Sequence, residues 1–566
     1  MKKVITMLLI VIYFCQGLLG CFEYSEVQNN NSDRDNQYEE ACITPFGKYP
    51  ETITYTLGKI IGANNSNMPG GDTYENNAYT RYLKEKINVQ NKDSFEAQDI
   101  NYNNMVAMAI SEENIPDIMF VDNYDYLKLL VEKDMIEDLT DVYEKCASDR
   151  IKDIYKSYGE GIFESSTFNG KLMALPETSI DSGPNMIWLR KDWMDKLGLD
   201  APKTLDDVEK IIDEFITKDP GGNGPGNTIG LACAPEVTSD NGYSYMFQTD
   251  IIFSKYNAYP KQWIKDENGN IVYGSVTNNA KNALGYMSKL YNKGILDNKF
   301  LVRTQSNIQD MIINGKCGSF FSLWWAPNNP LMDSIKNDKS ADWEPYMIPT
   351  DEDGSTSFCI QNPNKKYVVV RKGYEHPEVV MKISSVLFDL FDYFNGNNDS
   401  AQEIKQYYRD NVDPTARPLG INIDYKDAVI KSYRNINSVL NGEMDSNSLQ
   451  LIEYSYYEQV KRYLNDPQNA TPQDWAAYTS RMDAGGLLDR SKVKIIKTYF
   501  YNKETETMSK LWWKLEDLEK QAYLKIITGE EPIDYFDDFV DRWYKEGGRK
   551  ITDEVRDEIN KNTEKN

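Results

Sequence analysis

The sequence predicts an α/β fold, mainly because of the order of its apolar segments. Short apolar runs such as 118–121 and 186–189 end in polar residues, and segments with helical spacing of apolar residues follow them. Uninterrupted apolar runs are typical of strands that a sheet buries on both faces. Strands that alternate with helices in this way predict sheets covered by helices.

The first part of the chain contains two such pairs of a strand and a helix. Residues 53–57 (Ile-Thr-Tyr-Thr-Leu) predict a strand, and the loop 62–72 leads from it to an amphipathic helix through residues 79–87. Residues 118–121 predict the next strand, and 124–133 the helix that follows.

In the middle of the chain, the ends of the predicted strands and helices are marked more clearly. Residues 186–189 predict a strand, and the helix 191–197 should end at Gly198. Thr204 begins an acidic capping box, and apolar residues recur on one face of the helix 205–216.

The last part of the chain is predicted to be mainly helical. A helix through 280–290 should end at Gly294, and a strand is predicted for 317–325. From about residue 378 onward the apolar spacing predicts helices almost throughout.

Composition and charge restrict the function. Of the 566 residues, 63 are basic and 88 acidic, which gives a formal net charge of −25. This charge repels nucleic acid phosphates and anionic membrane surfaces, so we expect neither as a partner. The single histidine, His376, excludes multi-histidine zinc sites and confines histidine-based catalysis to its own neighbourhood. Because Pro377 suits the first position of a helix, we expect His376 to lie beside a helix start.

The cysteines do not form a recognisable pattern. Beyond the first 21 residues, five remain, and their spacing matches neither a metal motif nor a disulfide framework. We expect mostly buried thiols and leave one disulfide pair open. The five are Cys42, Cys146, Cys233, Cys317 and Cys359.

Residues 1–20 predict a signal peptide, because two lysines precede an apolar run that is too short to span a bilayer. Leu18-Leu-Gly-Cys21 resembles the lipobox of bacterial lipoproteins, which implies that Cys21 is acylated and anchors the protein at the extracellular face of the cell membrane. The alternative is simple secretion, with Cys21 an ordinary cysteine. Residues 21–50 include a polar run and are expected to form a flexible spacer.

Four stretches, in order along the chain, resemble one known family. They are 167–176 (Thr-Phe-Asn-Gly-Lys-Leu-Met-Ala-Leu-Pro), 187–207 with its Arg-Lys-Asp-Trp and Pro-Lys-Thr, 314–325 (Asn-Gly-Lys-Cys-Gly to Trp-Trp), and 526–548 with Ile-Ile-Thr-Gly-Glu. The chain is similar to the extracellular solute-binding proteins that serve sugar ABC transporters, in the long lipoprotein branch of Gram-positive bacteria. One such stretch would be weak evidence for a family, whereas four in the expected order are specific at the level of the family.

The resemblance implies a periplasmic-binding-protein-like clamp, in which two α/β lobes joined by hinge strands close on a ligand in a cleft. On this basis we expect lobe 1 to contain 51–178 with 308–358. Lobe 2 should contain 179–307 with 359–566, including a helical C-terminal extension.

Two tryptophans are the first candidates for ligand contact. Trp324 and Trp325 end the predicted strand 317–325, where the resemblance places aromatic side chains in the cleft. Sugars offer apolar C–H faces that stack on aromatic rings. Because side chains alternate along a strand, we expect one indole to contact sugar and the other to lie in the core.

Polar residues near the ends of predicted strands are the second group of candidates. Asp122 and Asn123 follow the strand 118–121, and the alternative role for them is to cap the next helix. Asn64 and Asn65 lie in the first loop after a strand, where the alternative is a turn that tolerates left-handed backbone. Asn185, just before the strand 186–189, is the last of these candidates.

The loop after residue 218 resembles the front half of a calcium loop. Asp219 and Asn223 occupy the first and fifth positions, and Asn227 completes the candidate ligands. Gly221 and Gly230 stand where carboxylates are required at positions three and twelve. We therefore favour a tight turn that ends a helix, with a calcium ion as the alternative and no other cofactor.

We expect a monomeric receptor that binds an oligosaccharide and hands it to the membrane permease subunits of an ABC transporter, without enzymatic activity. One alternative is a secreted, lipid-anchored glycosidase, because a pair of carboxylates needs no histidine. Another is a sugar-binding subunit that reports to a membrane sensor.

Overall fold

The computed structural model shows two compact units that both contain separate stretches of the chain. One unit, here called unit 1, comprises Met1–Thr178 with Lys365–Asp424, and unit 2 comprises Ser179–Asn364 with Tyr425–Asn566. The predicted signal peptide and Cys21 lie outside the described part of the chain. The structure describes residues 33–180, 183–239, 246–360, 366–390, 399–410, 412–501 and 503–563.

Strands and helices alternate through the first two thirds of the chain, and helices dominate the last third. The strands are β1 Ile53–Ile60, β2 Val89–Ala97, β3 Ile118–Val121, β4 Thr167–Phe168, β5 Lys171–Leu172, β6 Leu175–Pro176, β7 Met186–Arg190, β8 Ile229–Ala232, β9 Trp263–Lys265, β10 Ile271–Tyr273, β11 Cys317–Ser322, β12 Trp343–Tyr346, β13 Thr356–Ile360, β14 Tyr367–Val370 and β15 Val493–Lys497.

The helices that carry an assigned start and end are α1 Ala78–Ile87, α2 Asp99–Ser111, α3 Tyr124–Glu132, α4 Thr140–Cys146, α5 Asp149–Lys156, α6 Lys191–Leu197, α7 Leu205–Lys218, α8 Asp250–Ser254, α9 Asn278–Asn292, α10 Gln305–Ile313, α11 Met332–Asn337, α12 Val379–Ser385, α13 Asp399–Arg409, α14 Ala428–Leu440, α15 Leu451–Asn465, α16 Pro472–Tyr478, α17 Gly485–Arg490, α18 Met508–Thr528, α19 Tyr535–Trp543 and α20 Arg549–Thr563.

Unit 1 is built on a five-stranded sheet with the order β2-β1-β3-β14-β6. Strand β1 runs parallel to β2 and β3, whereas β14 runs antiparallel to β3 and β6. All four residues of β3 and of β14 are buried, as expected for strands covered on both faces. The α/β prediction is confirmed.

Unit 2 contains a four-stranded sheet with the order β12-β7-β11-β8. Strand β11 is antiparallel to β7 and parallel to β8, so its backbone hydrogen bonds are made within unit 2. The expected assignment of 308–358 to the first lobe is therefore wrong. The assignment of 366–424 to the second lobe is also wrong, because β14 pairs with β3 in unit 1.

The C-terminal helices pack into unit 2. Side chains of α18, α19 and α20 share one apolar cluster with α7 and α9, and it includes the fully buried Leu515, Phe539 and Trp543. One strand interrupts this helical region, because β15 pairs in parallel with β13. Within the described ranges, no helix has the length and apolar character needed to cross a bilayer.

The expected flexible spacer is wrong for residues 33–50. Residues 33–43 are helical, and the segment after them is attached to α12 of unit 1. The Lys382 Nζ donates hydrogen bonds of 2.8 Å to the carbonyl oxygens of Thr44 and Gly47. The Tyr49 hydroxyl donates a 2.6 Å hydrogen bond to Glu378. These contacts stabilise a segment whose polar composition alone would not fold.

Two glycines of unit 2 provide a matched test of this packing. A Cβ atom at Gly230, in β8, would lie 2.1 Å from the carbonyl oxygen of Ile295, whereas at Gly285, in α9, its nearest neighbour would be Ile533 at 3.9 Å. We expect Gly230→Ala to lower the free energy of unfolding by about 1–3 kcal/mol. Gly285→Ala should raise it by up to about 1 kcal/mol. Urea unfolding followed by circular dichroism measures both, and equal stability of the two variants would contradict the packing described.

Candidate functional site

The two candidate tryptophans do not lie on a strand. Strand β11 ends at Ser322, and residues 324–326 form a turn before a short helical segment. The alternation expected for 317–325 therefore does not apply to them. Trp324 is only 7% exposed and belongs to an apolar cluster of unit 2, whereas Trp325 is half-buried and packs at the edge of that cluster.

Arg481 covers one face of Trp324. Its guanidinium carbon lies 4.4 Å from the centre of the Trp324 ring and 3.8 Å from that of Tyr456, within the range of cation–π contacts. Trp324 Nε1 and Arg481 Nε are buried and have no hydrogen-bond partner among the described residues. The cluster thus holds two unused donors beside the more accessible Trp325.

The asparagines and the aspartate of unit 1 lie at one edge of its sheet. Because β1 and β3 are parallel, the segments that follow them lie at the same edge. Asn123 Oδ1 caps α3 by accepting hydrogen bonds from the backbone of its first turn, and Asp122 accepts one of 3.1 Å from Asn103. Asn64 and Asn65 are exposed and have φ angles of 49° and 54° in a tight turn.

Asn185 differs from these residues because it lies inside unit 2. It is 1% exposed, and its amide donates a 3.5 Å hydrogen bond to the carbonyl oxygen of Gln248. This burial removes Asn185 from the accessible candidates. Its position directly before β7, whose five residues are all buried, is the sequence signal that could have indicated this.

The loop at Asp219 is closed by its own hydrogen bonds. The Asp219 carboxylate accepts from the Asn223 and Gly224 amides at 3.0 and 2.7 Å and from the Thr228 hydroxyl at 2.5 Å. The Asn227 amide donates a 3.0 Å bond to the carbonyl oxygen of Asn223. These hydrogen bonds, led by that from Thr228, lower the pKa of Asp219. The loop is therefore a turn after α7 in which hydrogen-bond donors occupy both oxygens of the Asp219 carboxylate.

A charged cavity of about 400 Å³ lies in unit 2, between the segment 235–238 and α18. Its wall includes Glu519, which is 2% exposed and accepts hydrogen bonds from Tyr273 and Ser275 at 3.0 and 2.9 Å. Burial raises the pKa of Glu519 to about 7. The other charged residues of the lining are Glu236, Lys261, Glu516, Asp517 and Lys520.

A second polar cluster surrounds His376 in unit 1. His376 Nδ1 lies 3.1 Å from Glu378 Oε1, and the Tyr38 hydroxyl lies 3.4 Å from His376 Nε2. The Cys42 thiol completes the cluster, and burial raises its pKa to about 11. Burial alone would raise the pKa of Glu378, but hydrogen bonds from His376 and Tyr49 lower it below its ordinary value.

Sequence reasoning missed this cluster. His376 does lie just before α12, but its ring contacts side chains from the N-terminal segment, which no local pattern could bring to it. The five cysteines of the described chain are free thiols, and all except the half-buried Cys42 are buried.

We expect Glu519 to make stability depend on pH. Its pKa is 4.5 in an unfolded chain and about 7 in the fold, so the folded state binds more protons between these values. The free energy of unfolding should therefore fall by up to about 3 kcal/mol as the pH rises from about 4.5 to 7. Glu519→Gln should flatten this part of the profile, measured by urea unfolding at each pH. The exposed Glu530→Gln is the control, and a flat wild-type profile would contradict the assignment.

We also expect the Asp219 turn to be stable without calcium. Asp219→Ala leaves three donors without their partner and should lower the free energy of unfolding by about 1–3 kcal/mol. The control is Asp213→Ala, an exposed position on α7, with a change within about 0.5 kcal/mol. Chelation should leave the melting temperature of the wild type unchanged. A drop on chelation would instead show that calcium is bound.

The model of the family described as "Bacterial extracellular solute-binding protein" matches residues 65–397, which is more than half of the chain. Lipoprotein LipO of Bacillus subtilis is 24% identical over 404 residues, covering 69% of this chain and 72% of LipO. The polygalacturonan/rhamnogalacturonan-binding protein YtcQ of the same organism is 30% identical over 159 residues, covering 28% of this chain and 30% of YtcQ.

Among solved structures, an EF-hand mutant of the Streptococcus pneumoniae ABC-transporter substrate-binding protein FusA, in complex with fructo-nystose, has a similar fold. The TM-score is 0.58 at 15% identity, and the match covers 91% of this chain and all of that one. This likeness supports the two-unit α/β fold. The family match over residues 65–397 shows that the chain belongs to the bacterial extracellular solute-binding proteins.

Proposed function

We propose that this protein is a lipid-anchored extracellular receptor that binds an oligosaccharide and delivers it to the permease of an ABC transporter. The observation that carries the proposal is the family match over more than half of the chain. The names of two relatives support a saccharide ligand: YtcQ is a polygalacturonan/rhamnogalacturonan-binding protein and FusA a fructooligosaccharide ABC transporter substrate-binding protein. We propose that the protein acts as a monomer and without catalysis.

The anchor in this proposal is the acylated Cys21. The Leu-Leu-Gly sequence before it and the similarity to lipoprotein LipO support this. Residues 33–50 are attached to unit 1, and eleven residues, 22–32, lie between Cys21 and Asp33, the first described residue. Eleven residues span at most about 40 Å. The receptor would therefore stay close to the membrane, where a nearby permease meets it at a raised effective concentration.

We propose that the sugar site in unit 2 is centred on Trp325. Its indole is half-buried, and an indole is the kind of ring on which a sugar can stack. The neighbouring Trp324 and Arg481 contribute donors that lack partners in the described chain, and an unsatisfied buried donor costs about 1–3 kcal/mol. A sugar hydroxyl that accepts from either donor, once the side chains that cover it move aside, would remove part of this cost. In unit 1, Asn64, Asn65, Asp122 and Asn123 remain the proposed polar contacts.

One observation bears on the alternative of a glycosidase. Burial and the neighbouring charges of Glu344 and Asp342 raise the pKa of Asp483 to about 7, which is a property of general acids. The family match favours binding without turnover. Calorimetry against oligogalacturonides and fructooligosaccharides, with analysis of the recovered sugar, separates the two functions. We expect saturable binding and intact sugar, and turnover of any ligand would refute the receptor.

Three tryptophan variants test the proposed site. Trp325→Ala should lower the affinity for whichever sugar binds in the calorimetry by about tenfold. The reason is that one stacking contact contributes about 0.5–1.5 kcal/mol in addition to the burial of its apolar surface. Trp324→Ala should mainly destabilise the fold, by about 3–5 kcal/mol. Trp513→Ala is the control, since its side chain is 70% exposed on α18. Unchanged affinity in Trp325→Ala would contradict the site.

A further inference from the structure

The cluster around His376 brings together three different kinds of metal ligand. A thiol sulfur of Cys42, a ring nitrogen of His376 and a carboxylate oxygen of Glu378 all lie within 4.8 Å of one another. Across the described ranges, no other group of three or more histidine, cysteine and acidic side chains meets this distance. His376 and Glu378 are 8% and 6% exposed, and Cys42 is half-buried.

We propose that Cys42, His376 and Glu378 form a binding site for a divalent transition metal ion, with Zn²⁺ as the best fit. The ion fastens the N-terminal segment, through Cys42, to the start of α12 in unit 1. The site lies within unit 1 and does not depend on the proposed sugar receptor. Its role is structural, at the end of the chain that leads to Cys21.

The ligand types select the class of metal. Zn²⁺ binds thiolate, imidazole and carboxylate together, whereas Ca²⁺ and Mg²⁺ take oxygen ligands almost exclusively. Bond lengths of 2.0–2.3 Å in a tetrahedral site place ligand atoms about 3.3–3.6 Å apart. His376 Nδ1 and Glu378 Oε1 are already 3.1 Å apart. All three ligand atoms lie within 4.8 Å of one another, which is close to the spacing that a tetrahedral site requires.

The charges balance when the ion binds. The Cys42 thiol loses its proton to solvent and becomes a thiolate, neutral His376 uses a ring lone pair, and Glu378 binds as a carboxylate. Two negative ligands, neutral His376 and a water molecule from solvent in the fourth position make a neutral complex with Zn²⁺, which a partly buried site tolerates better than a net charge. The cationic Lys382, whose Nζ donates hydrogen bonds to the carbonyl oxygens of Thr44 and Gly47, opposes the ion.

Tyrosines orient two of the ligands. The Tyr49 hydroxyl donates to Glu378 Oε1 at 2.6 Å, and the Tyr38 ring packs edge-on against His376 with centroids 5.8 Å apart. Outer-shell partners of this kind fix the direction of metal ligands. Both tyrosines come from the N-terminal segment, so the ion and the segment should stabilise each other.

The first experiment measures metal binding to the full chain, purified under reducing conditions without metal. We expect Zn²⁺ to bind with a stoichiometry of one by calorimetry, and Co²⁺ to give a thiolate-to-cobalt charge-transfer band. Cys42→Ser and His376→Gln should each weaken Zn²⁺ binding by more than about 100-fold. Substitution of a residue that only contacts a metal ligand typically weakens binding by about 10–100-fold, so a larger loss identifies a ligand. The matched control is Cys146→Ser, a buried thiol whose Sγ donates to the Cys42 carbonyl oxygen at 3.4 Å.

The second experiment measures how firmly the N-terminal segment is attached to unit 1. It uses the wild-type protein with and without Zn²⁺, so it does not depend on whether a variant folds. Trypsin cleavage after the exposed Lys48 reports local opening. Zn²⁺ at 100 times its dissociation constant should lower the open population, and with it the cleavage rate, about 100-fold. Absence of stoichiometric Zn²⁺ binding to the wild type would overturn the proposal. So would an equal loss of binding in Cys146→Ser, or a cleavage rate that Zn²⁺ does not change.

Discussion

The pairing of β14 with β3 is the interaction on which the arrangement of this protein depends. Most of unit 2 lies between these strands in the sequence, yet the five-stranded sheet of unit 1 is complete only when β14 joins β3 and β6. All four β14 residues are buried, so the backbone hydrogen bonds form where water cannot compete. This pairing also sets the position of α12, which follows directly, and with it His376, Glu378 and Lys382.

Buried lysines attach the remaining segments to unit 1. The fully buried Lys59, in β1, donates to the carbonyl oxygens of Thr415 and Arg417 at 2.5 and 2.6 Å, and Lys382 does the same for Thr44 and Gly47. In both places the amino group of a lysine donates hydrogen bonds to two backbone carbonyls of a segment that lies outside the α-helices and strands. Buried carbonyls need such partners, because an unsatisfied one costs as much as a lost hydrogen bond. Each lysine therefore links segments that are distant in sequence.

Local patterns predicted the type of most elements but not their partners. The apolar runs at 118–121 and 186–189 correspond to β3 and β7, and Thr204 caps α7 as expected. The lobe assigned to 308–358 was wrong because a strand's own residues do not specify which sheet it joins. The spacer was wrong for 33–50 because its stability comes from Lys382 and Glu378, which lie far along the chain. The alternation at Trp324 failed because β11 ends two residues earlier.

The two candidate metal positions differ in what surrounds the carboxylate. At Asp219 two of the three donors are backbone amides, which hold the oxygens in place and cannot become metal ligands. At Glu378 the neighbours include a neutral imidazole, which offers a ring lone pair, and a thiol, which becomes a ligand once its proton leaves. The first carboxylate accepts hydrogen bonds from the backbone of its own loop, whereas the second accepts them from the side chains of Tyr49 and His376 and lies beside the Cys42 thiol. A carboxylate therefore closes a turn in unit 2 and, in the zinc site proposed above, acts as a ligand in unit 1.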